Sequence, residues 1–416
     1  MVHGGGASWT GGAPAGRIDR ALYKVVSFDD IRTLARRRLP RVVFDFVDGG
    51  AGAEETLRAN RAVFSQVGLR PRQASAPLAT DLSVEAFGHK LRIPILLAPC
   101  GSARIVHPSG EAAIARAAGR AGTVYVVPHL GGARVEDLHP DENNRLLWYQ
   151  IYRYGGREVS EAAIRRAWTA GYRTLVVTID NARTVRERDV RNGLGPLLSG
   201  DRLKALPYMG QLLARPKWLV GFLRDTTTTA TPNALLPDGR MMTPLELTAA
   251  AAKPDGSFRW ADFQWLREAW PGTIVAKGIL TADDARRAVD CGIQGLIVSN
   301  HGGRTVDGLE PTLRALPEVV AAVPSRVAVF LDSGVRRGPD VIKALCLGAR
   351  AVLIGRAHML ALSCGEAGIS RMLSLLETDL RNSMATLGCS AVTELNSDFV
   401  RVPAEWTDSS TEFVAR

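Results

Sequence analysis

Lysine is scarce in this chain. Of 52 basic residues only Lys24, Lys90, Lys204, Lys217, Lys253, Lys277 and Lys343 are lysines. The arginines are scattered and form no compact basic run interleaved with aromatics, so a net charge of +10 does not define a nucleic-acid partner. Cysteine is sparse too. Cys100, Cys291, Cys346, Cys364 and Cys389 are odd in number and far apart, which excludes a disulfide framework and a zinc ligand set and points to a reducing, cytoplasmic home. No apolar run approaches the ~18 residues that cross a bilayer. Residues 1–17 are rich in Gly and Ala but lack the apolar core of a signal peptide, so 1–23 is expected to be a disordered tail. Missing as well is a G-x-G-x-x-G turn after the first strand-like run, where Pro99-Cys100-Gly101-Ser102 stands instead. That disfavours an open doubly wound sheet.

What the chain does contain is a repeat of strand and helix. Apolar runs of strand length recur at 93–98, 123–127, 146–151, 174–179, 273–276, 295–298, 327–331 and 351–354, most separated by helical stretches such as 110–121, 160–170, 282–291 and 339–347. Eight strands alternating with helices predict an α/β fold, a closed (β/α)8 TIM barrel, over residues 24–402. A helical segment precedes it. Ser27 caps a helix that carries Asp29 and Asp30 in its first turn, and further helices are expected at 41–46 and 54–64. About ninety residues separate Asp180 from Thr273, a length typical of a lid or a binding element. This long loop, 187–258, combines a helical piece at 211–223 with the flexible run 226–229, and is expected over the barrel mouth. Its basic, partly apolar stretch 212–219 would suit a membrane surface, although a lid packed on its own barrel is preferred. A short tail, 403–416, closes the chain.

In such a barrel the residues just past the strand ends converge on one face. Here they include Pro99, His129, Gln150, Tyr152, Thr178, Asp180, Arg186, Lys277, Ser299, His301, Arg304, Asp332, Arg336, Gly355 and Arg356. The stretch Ser299-Asn300-His301-Gly302-Gly303-Arg304 follows the apolar run 295–298. A histidine at that place can take a proton near neutral pH, and an arginine three residues on can grip a carboxylate. An isolated histidine in a glycine-rich turn is otherwise an ordinary loop residue. Asp332-Ser333-Gly334-Val335-Arg336 and Ile354-Gly355-Arg356 place glycines and arginines where barrels bind phosphate. Asp332 would repel a phosphate and is assigned to sugar-type hydroxyls. Lys277 emerges from an apolar strand and is costly to bury without an anion. A reduced flavin is one such partner, and a structural ion pair is the alternative.

Taken together, S-N-H-G-G-R at 299–304, L-D-S-G-V-R-R-G at 331–338, I-G-R at 354–356 and K-G-I at 277–279 resemble the FMN-dependent 2-hydroxy-acid oxidases and dehydrogenases, such as glycolate oxidase, lactate oxidase and mandelate dehydrogenase. The resemblance covers roughly residues 24–400. It implies His301 as the base, Asp180 as its partner, Arg304 and Arg186 on the substrate carboxylate, and Tyr152 facing the substrate. It places FMN against Pro99, Cys100 and Gly101, with Gln150, Thr178, Lys277 and Ser299 on the ring and ribityl chain. Asp332, Gly334, Arg336, Gly355 and Arg356 would hold ribityl and phosphate. It further implies a homotetramer. The electron acceptor stays open between oxygen, a quinone and a carrier protein.

The departures from the family pattern concern the pocket. Phe46-Val47 stands where Tyr-Tyr is usual, Pro128-His129-Leu130 replaces a serine and an aromatic, Thr305 replaces Gln, and the interval from Asp180 to Arg186 is one residue short. With Phe46, His129 and Leu130 as pocket residues, the expected substrate is a 2-hydroxy acid larger than glycolate or lactate, oxidised to the 2-oxo acid. A peptide-derived or natural-product substrate is the alternative. An FMN-dependent isomerase would not need His301 with Arg304, and a non-enzymatic flavoprotein would not need Asp180 or Lys277.

Overall fold

A computed structural model describes residues 20–75, 77–138, 146–181, 185–198, 202–225, 229–243, 246–247, 249–250, 253 and 256–406. Eight parallel strands close into a barrel. They are β1 Ile95–Leu97, β2 Val124–Pro128, β3 Leu146–Ile151, β4 Thr174–Thr178, β5 Thr273–Ile279, β6 Gly295–Val298, β7 Ala328–Leu331 and β8 Ala351–Ile354. Closure comes from pairing of β8 with β1, in the register Val352 to Ile95. Every predicted strand is present, with ends moved by at most three residues.

Strand alternation sorts the side chains into two cores. Leu96, Val126, Trp148, Val176, Ile297 and Phe330 fill the barrel interior. Leu97, Tyr125, Tyr149, Val177 and Val298 face the helices in a second, larger cluster. These strands are therefore apolar on both faces, as buried parallel strands are. The N-terminal end of the barrel is plugged by a hairpin, Val84–Ala86 with His89–Leu91. Phe87 at its tip, in a left-handed conformation (φ 51), lies 5.4 Å from Trp148 and 5.8 Å from Phe330 between ring centroids. The sequence reading did not anticipate this plug, because two three-residue strands carry no usable period.

Ser27 caps the helix Phe28–Arg38, its hydroxyl accepting from Asp30 N at 3.2 Å. The helix Arg41–Asp48 runs two residues further than expected, and Glu55–Gln66 follows. Also unanticipated is the 23-residue helix Gly365–Leu387, which packs on Gly110–Ala121 and Gly338–Cys346. Gly338 permits that approach, since a Cβ there would meet the backbone of Asp379 and Leu380. Of the expected N-terminal tail, residues 1–19 lie outside the described residues. Arg20–Tyr23 forms a helical turn with Leu22 buried. At the other end Ala404–Trp406 forms a short turn, and 407–416 lie outside the described residues.

The loop after β4 divides in two. Its first half forms short helices, including Met209–Leu213 and Pro216–Arg224, which replace the single helical piece expected at 211–223 because Pro216 begins a new helix. Gln211 accepts from Val42 N at 2.7 Å and Trp218 Nε1 donates to Ile105 O at 2.8 Å, so this half packs on the outer helices. Its second half, around Ala234, Met242 and Leu247, packs on Tyr152, Tyr154 and Leu130 beside the barrel mouth. Most of the run 226–229 lies outside the described residues. No helix among the described residues is long and apolar enough to cross a membrane.

Phe87→Ala should open a void under Trp148 and Phe330. A fully buried Phe→Ala change costs about 3–5 kcal/mol. Phe87 is only partly buried, so a loss near about 3 kcal/mol is expected in urea unfolding, with the flavin spectrum unchanged.

Candidate active site

The strand ends bring together a polar network. Lys277, buried on β5, donates to Ser299 Oγ at 2.8 Å and lies 3.2 Å from Asp332 Oδ2. Burial penalises its charge, but Asp332 and Asp180 outweigh that and hold the ammonium above its ordinary pKa. The ion pair considered as the alternative for Lys277 is thus present. Asp332 is committed to it and to Ser333, whose hydroxyl donates to Asp332 Oδ1 at 2.7 Å and accepts from Gly302 N at 2.9 Å.

Ser299 Oγ also accepts from His301 N at 3.1 Å. His301, Gly302 and Gly303 are all left-handed, with φ of 57, 69 and 70. For a histidine that conformation costs on the order of 1 kcal/mol. It turns the imidazole into the pocket, where Nδ1 lies 3.2 Å from Asp180 Oδ1 and Nε2 lies 3.3 Å from the Tyr152 hydroxyl. A carboxylate at Nδ1 selects the tautomer with hydrogen there, which leaves Nε2 as the basic atom. Gly278 (φ 114) makes room for the aspartate, since a Cβ there would come within 2.6 Å of Asp180 Cβ.

Arg186 and Arg304 both lie over one ring. Their guanidinium carbons lie 4.9 Å and 5.5 Å from the Phe46 centroid. Arg304 donates to Phe46 O at 2.9 Å and Gly49 O at 3.2 Å, which fixes it against the end of the helix Arg41–Asp48. Arg186 pairs with Asp189 at 2.7 Å. Burial pushes the Asp189 carboxyl up to about 6 despite that arginine. Arg188 ties the same segment to Asp48 at 2.9 Å and to Glu54, and Arg32 grips Asp48 through two 2.7 Å bonds. These bonds fasten the segment that carries Arg186 to the helix Arg41–Asp48.

Beside His301 the wall is apolar. Tyr152 stacks on Tyr154 with centroids 4.8 Å apart and planes at 6°, and Leu130, Ala234 and Met242 pack around them. Tyr154 was missed in the sequence, although its spacing of two from Tyr152 was the available signal. His129 is placed differently from the expectation. Its ring packs edge-on against Tyr149, a side chain of the helix-facing layer, and burial pushes its pKa down to about 4. It backs the pocket without entering it: its Nδ1 accepts from Tyr152 N at 3.4 Å.

The residues expected at a flavin stand at or just past the ends of neighbouring strands. Gln150 Nε2 donates to Thr178 Oγ1 at 3.0 Å. Pro99, Cys100 and Gly101 follow β1, and a Cβ on Gly101 would come 3.0 Å from Leu130 O. Burial pushes the Cys100 thiol up to about 12, so it packs as a neutral group, with its sulfur 3.3 Å from where a Gly355 Cβ would stand. Gly334 is used differently, its left-handed backbone (φ 99) lying directly against the Asn60 carbonyl.

Arg336 and Arg356 are among the residues that line a cavity of about 250 Å³ beside the helix Arg41–Asp48. Desolvation pushes both guanidinium groups down to about 10, Arg61 adding to the effect at Arg336 and Arg336 to that at Arg356. Among the described residues Arg356 donates only to carbonyls, those of Gly302 and Gly49 at 2.7 Å and Asp48 at 3.1 Å, and Arg336 Nε has no partner. Asp48 and Glu54 also line this cavity but are held by Arg32 and Arg188, and neither Arg336 nor Arg356 forms an ion pair among the described residues, so these two cations can take a phosphate dianion. The donor set therefore fits FMN.

The comparisons with known proteins agree. The FMN-dependent dehydrogenase family matches residues 35–402. A peroxisomal (S)-2-hydroxy-acid oxidase of Oryza sativa subsp. japonica is 37% identical over 90% of this chain and 95% of its own length. An L-lactate dehydrogenase of Xanthomonas campestris pv. campestris is 38% identical over 89% of this chain and 95% of its own. Among solved structures, monotopic membrane protein (S)-mandelate dehydrogenase superposes with a TM-score of 0.83 at 34% identity, covering 91% of this chain and 100% of that one. Fold and site define a barrel flavoenzyme. The chain belongs to the FMN-dependent dehydrogenase family.

Arg336→Ala should weaken FMN without affecting riboflavin. A charge-assisted hydrogen bond is worth about 1.5–3 kcal/mol, so FMN affinity should fall by about tenfold to a hundredfold, read from flavin fluorescence on release. Equal losses for FMN and riboflavin would place the phosphate elsewhere.

Proposed function

We propose that this enzyme oxidises a 2-hydroxy acid with a bulky, apolar side chain to the corresponding 2-oxo acid. The observation that carries the reading is His301, held between Asp180 and Tyr152 with two arginines nearby. Two-electron removal from an alcohol carbon needs a proton acceptor, cations to orient the carboxylate, and an electron acceptor. Bound FMN supplies the last. Arg186 and Arg304 orient the substrate carboxylate. The lone pair of His301 Nε2 takes the proton, and Asp180 stabilises the imidazolium. Tyr152 donates its hydroxyl hydrogen towards the reacting oxygen, and burial keeps that phenol protonated by raising its pKa.

The side-chain preference follows from Phe46. A tyrosine hydroxyl on the carboxylate would add about 1.5–3 kcal/mol, and phenylalanine cannot supply it. A larger substrate recovers the loss by covering Phe46, Leu130 and the Tyr152–Tyr154 wall, at about 25 cal/mol per Å². The second half of the loop 187–258 forms one side of that wall, which supports a lid role. The five free thiols support a cytoplasmic location. The assembly we propose is a homotetramer, on the family resemblance, to be checked by light scattering of the holoenzyme.

His301→Ala should lose about 10²–10⁴ in the rate of flavin reduction while its flavin spectrum stays normal. Near-normal reduction by the physiological acid would mean that the base is another group. Phe46→Tyr should raise kcat/KM for lactate and glycolate by about tenfold to a hundredfold. Steady-state kinetics of the unmodified enzyme on lactate, mandelate and a long-chain 2-hydroxy acid decide the substrate class, and efficient turnover of lactate would overturn the preference for bulk.

A further inference from the structure

On the outer wall, a groove of about 1010 Å³ runs between the end of the helix Phe28–Arg38, the turn Ala103–Val106 and the helix Pro216–Arg224. That volume is at the upper end of small-ligand pockets, roughly 300–1,000 Å³. Its apolar surface includes Leu39 and Val106, which are buried, and Ile105, Trp218 and Phe222, which are half-buried. Trp218 stacks on Phe222 with centroids 4.9 Å apart, and its only polar atom is engaged with Ile105 O. The indole therefore offers the groove a hydrocarbon face.

The rim is cationic. Arg104 is neutralised by Asp225 at 2.7 Å, and Arg215 donates to Leu39 O at 3.2 Å. Arg37 and Lys217 are exposed, and no acidic side chain lines the groove among the described residues. Next to it the helix Pro216–Arg224 leaves Val220 and Leu223 46% and 68% exposed, extending the apolar surface outward. A groove lined by apolar side chains together with Arg37 and Lys217, two exposed cations that no carboxylate answers among the described residues, is complementary to a hydrocarbon chain with an anionic head. We propose that this groove binds a single-chain anionic amphiphile, an acyl chain ending in a carboxylate or a phosphate. The site is separate from the His301 pocket, and the proposal does not depend on the reaction assigned above.

The test uses the FMN-loaded enzyme and two probes brominated at mid-chain, a fatty acid and a lysophosphatidylglycerol, because bromine quenches an indole that it touches. Saturable quenching with at least one probe is expected, and the stronger of the two identifies the head group. The quenching should vanish in Trp218→Phe. The double variant Arg37→Glu/Lys217→Glu should weaken it about tenfold. It should survive saturating 2-oxo acid product and leave the flavin spectrum unchanged. An uncharged brominated monoacylglycerol should bind about tenfold more weakly. Quenching that persists in Trp218→Phe, displacement by the product, equal affinity for the uncharged analogue, or a response only to brominated phospholipid vesicles would each overturn the proposal. If Trp218→Phe loses its flavin and its fold, calorimetric titration of the charge-reversed variant decides instead: unchanged affinity for both anions rules the groove out.

Discussion

The site depends on one buried cation. Lys277 Nζ reaches the ends of three strands at once: its own β5, Ser299 after β6 and Asp332 after β7. Through Ser299 it sets the backbone of His301, and through Asp332 and Ser333 it sets Gly302. The left-handed turn that carries the base is thus held by a chain of hydrogen bonds starting at one ammonium. A buried ion pair adds little net stability, while removing one partner costs about 3–5 kcal/mol. Its worth here is positional. In the proposed FMN site the same ammonium would also supply positive charge to the cofactor.

The substrate side exchanges one interaction for another. Where the family pattern has a phenol for the carboxylate, this chain has a phenyl ring in contact with two guanidinium groups. A cation over an aromatic face gains about 0.5–2 kcal/mol, most when desolvated. Phe46 therefore helps to hold Arg186 and Arg304 in place without itself contacting a carboxylate by hydrogen bond. Asp45, Asp48, Glu54, Arg32 and Arg188 complete this arrangement by fastening the segment after β4 to the helix Arg41–Asp48. A long loop thereby delivers an arginine to a fixed point.

The two halves of that loop serve different surfaces. Pro216 breaks it into separate helices, and the first half turns its apolar side partly towards the barrel and partly outward. The second half closes the wall around Tyr154. The barrel is rigid because its strands are buried on both faces. Variation in such a scaffold falls on the connections, and these decide which molecules approach the common base.

By itself the sequence determined the barrel, the order of its strands and the cluster around His301. Buried parallel strands are continuous apolar runs, and barrel topology carries their C-terminal ends to one face whatever the loops do. It also determined the cap at Ser27 and the helix 110–121, where local chemistry sets the ends. Only the tertiary structure decided that Asp332 answers Lys277, that His129 turns away from the pocket and that Tyr154 lines it. It alone placed the plug at Phe87 and the Arg188 clamp. Each of these is a contact between segments distant in the chain, where direction and distance, not residue type, select the partner. An aspartate next to a phosphate site and a histidine after a strand read alike in either role until the fold fixes which charge, ring or void lies within reach.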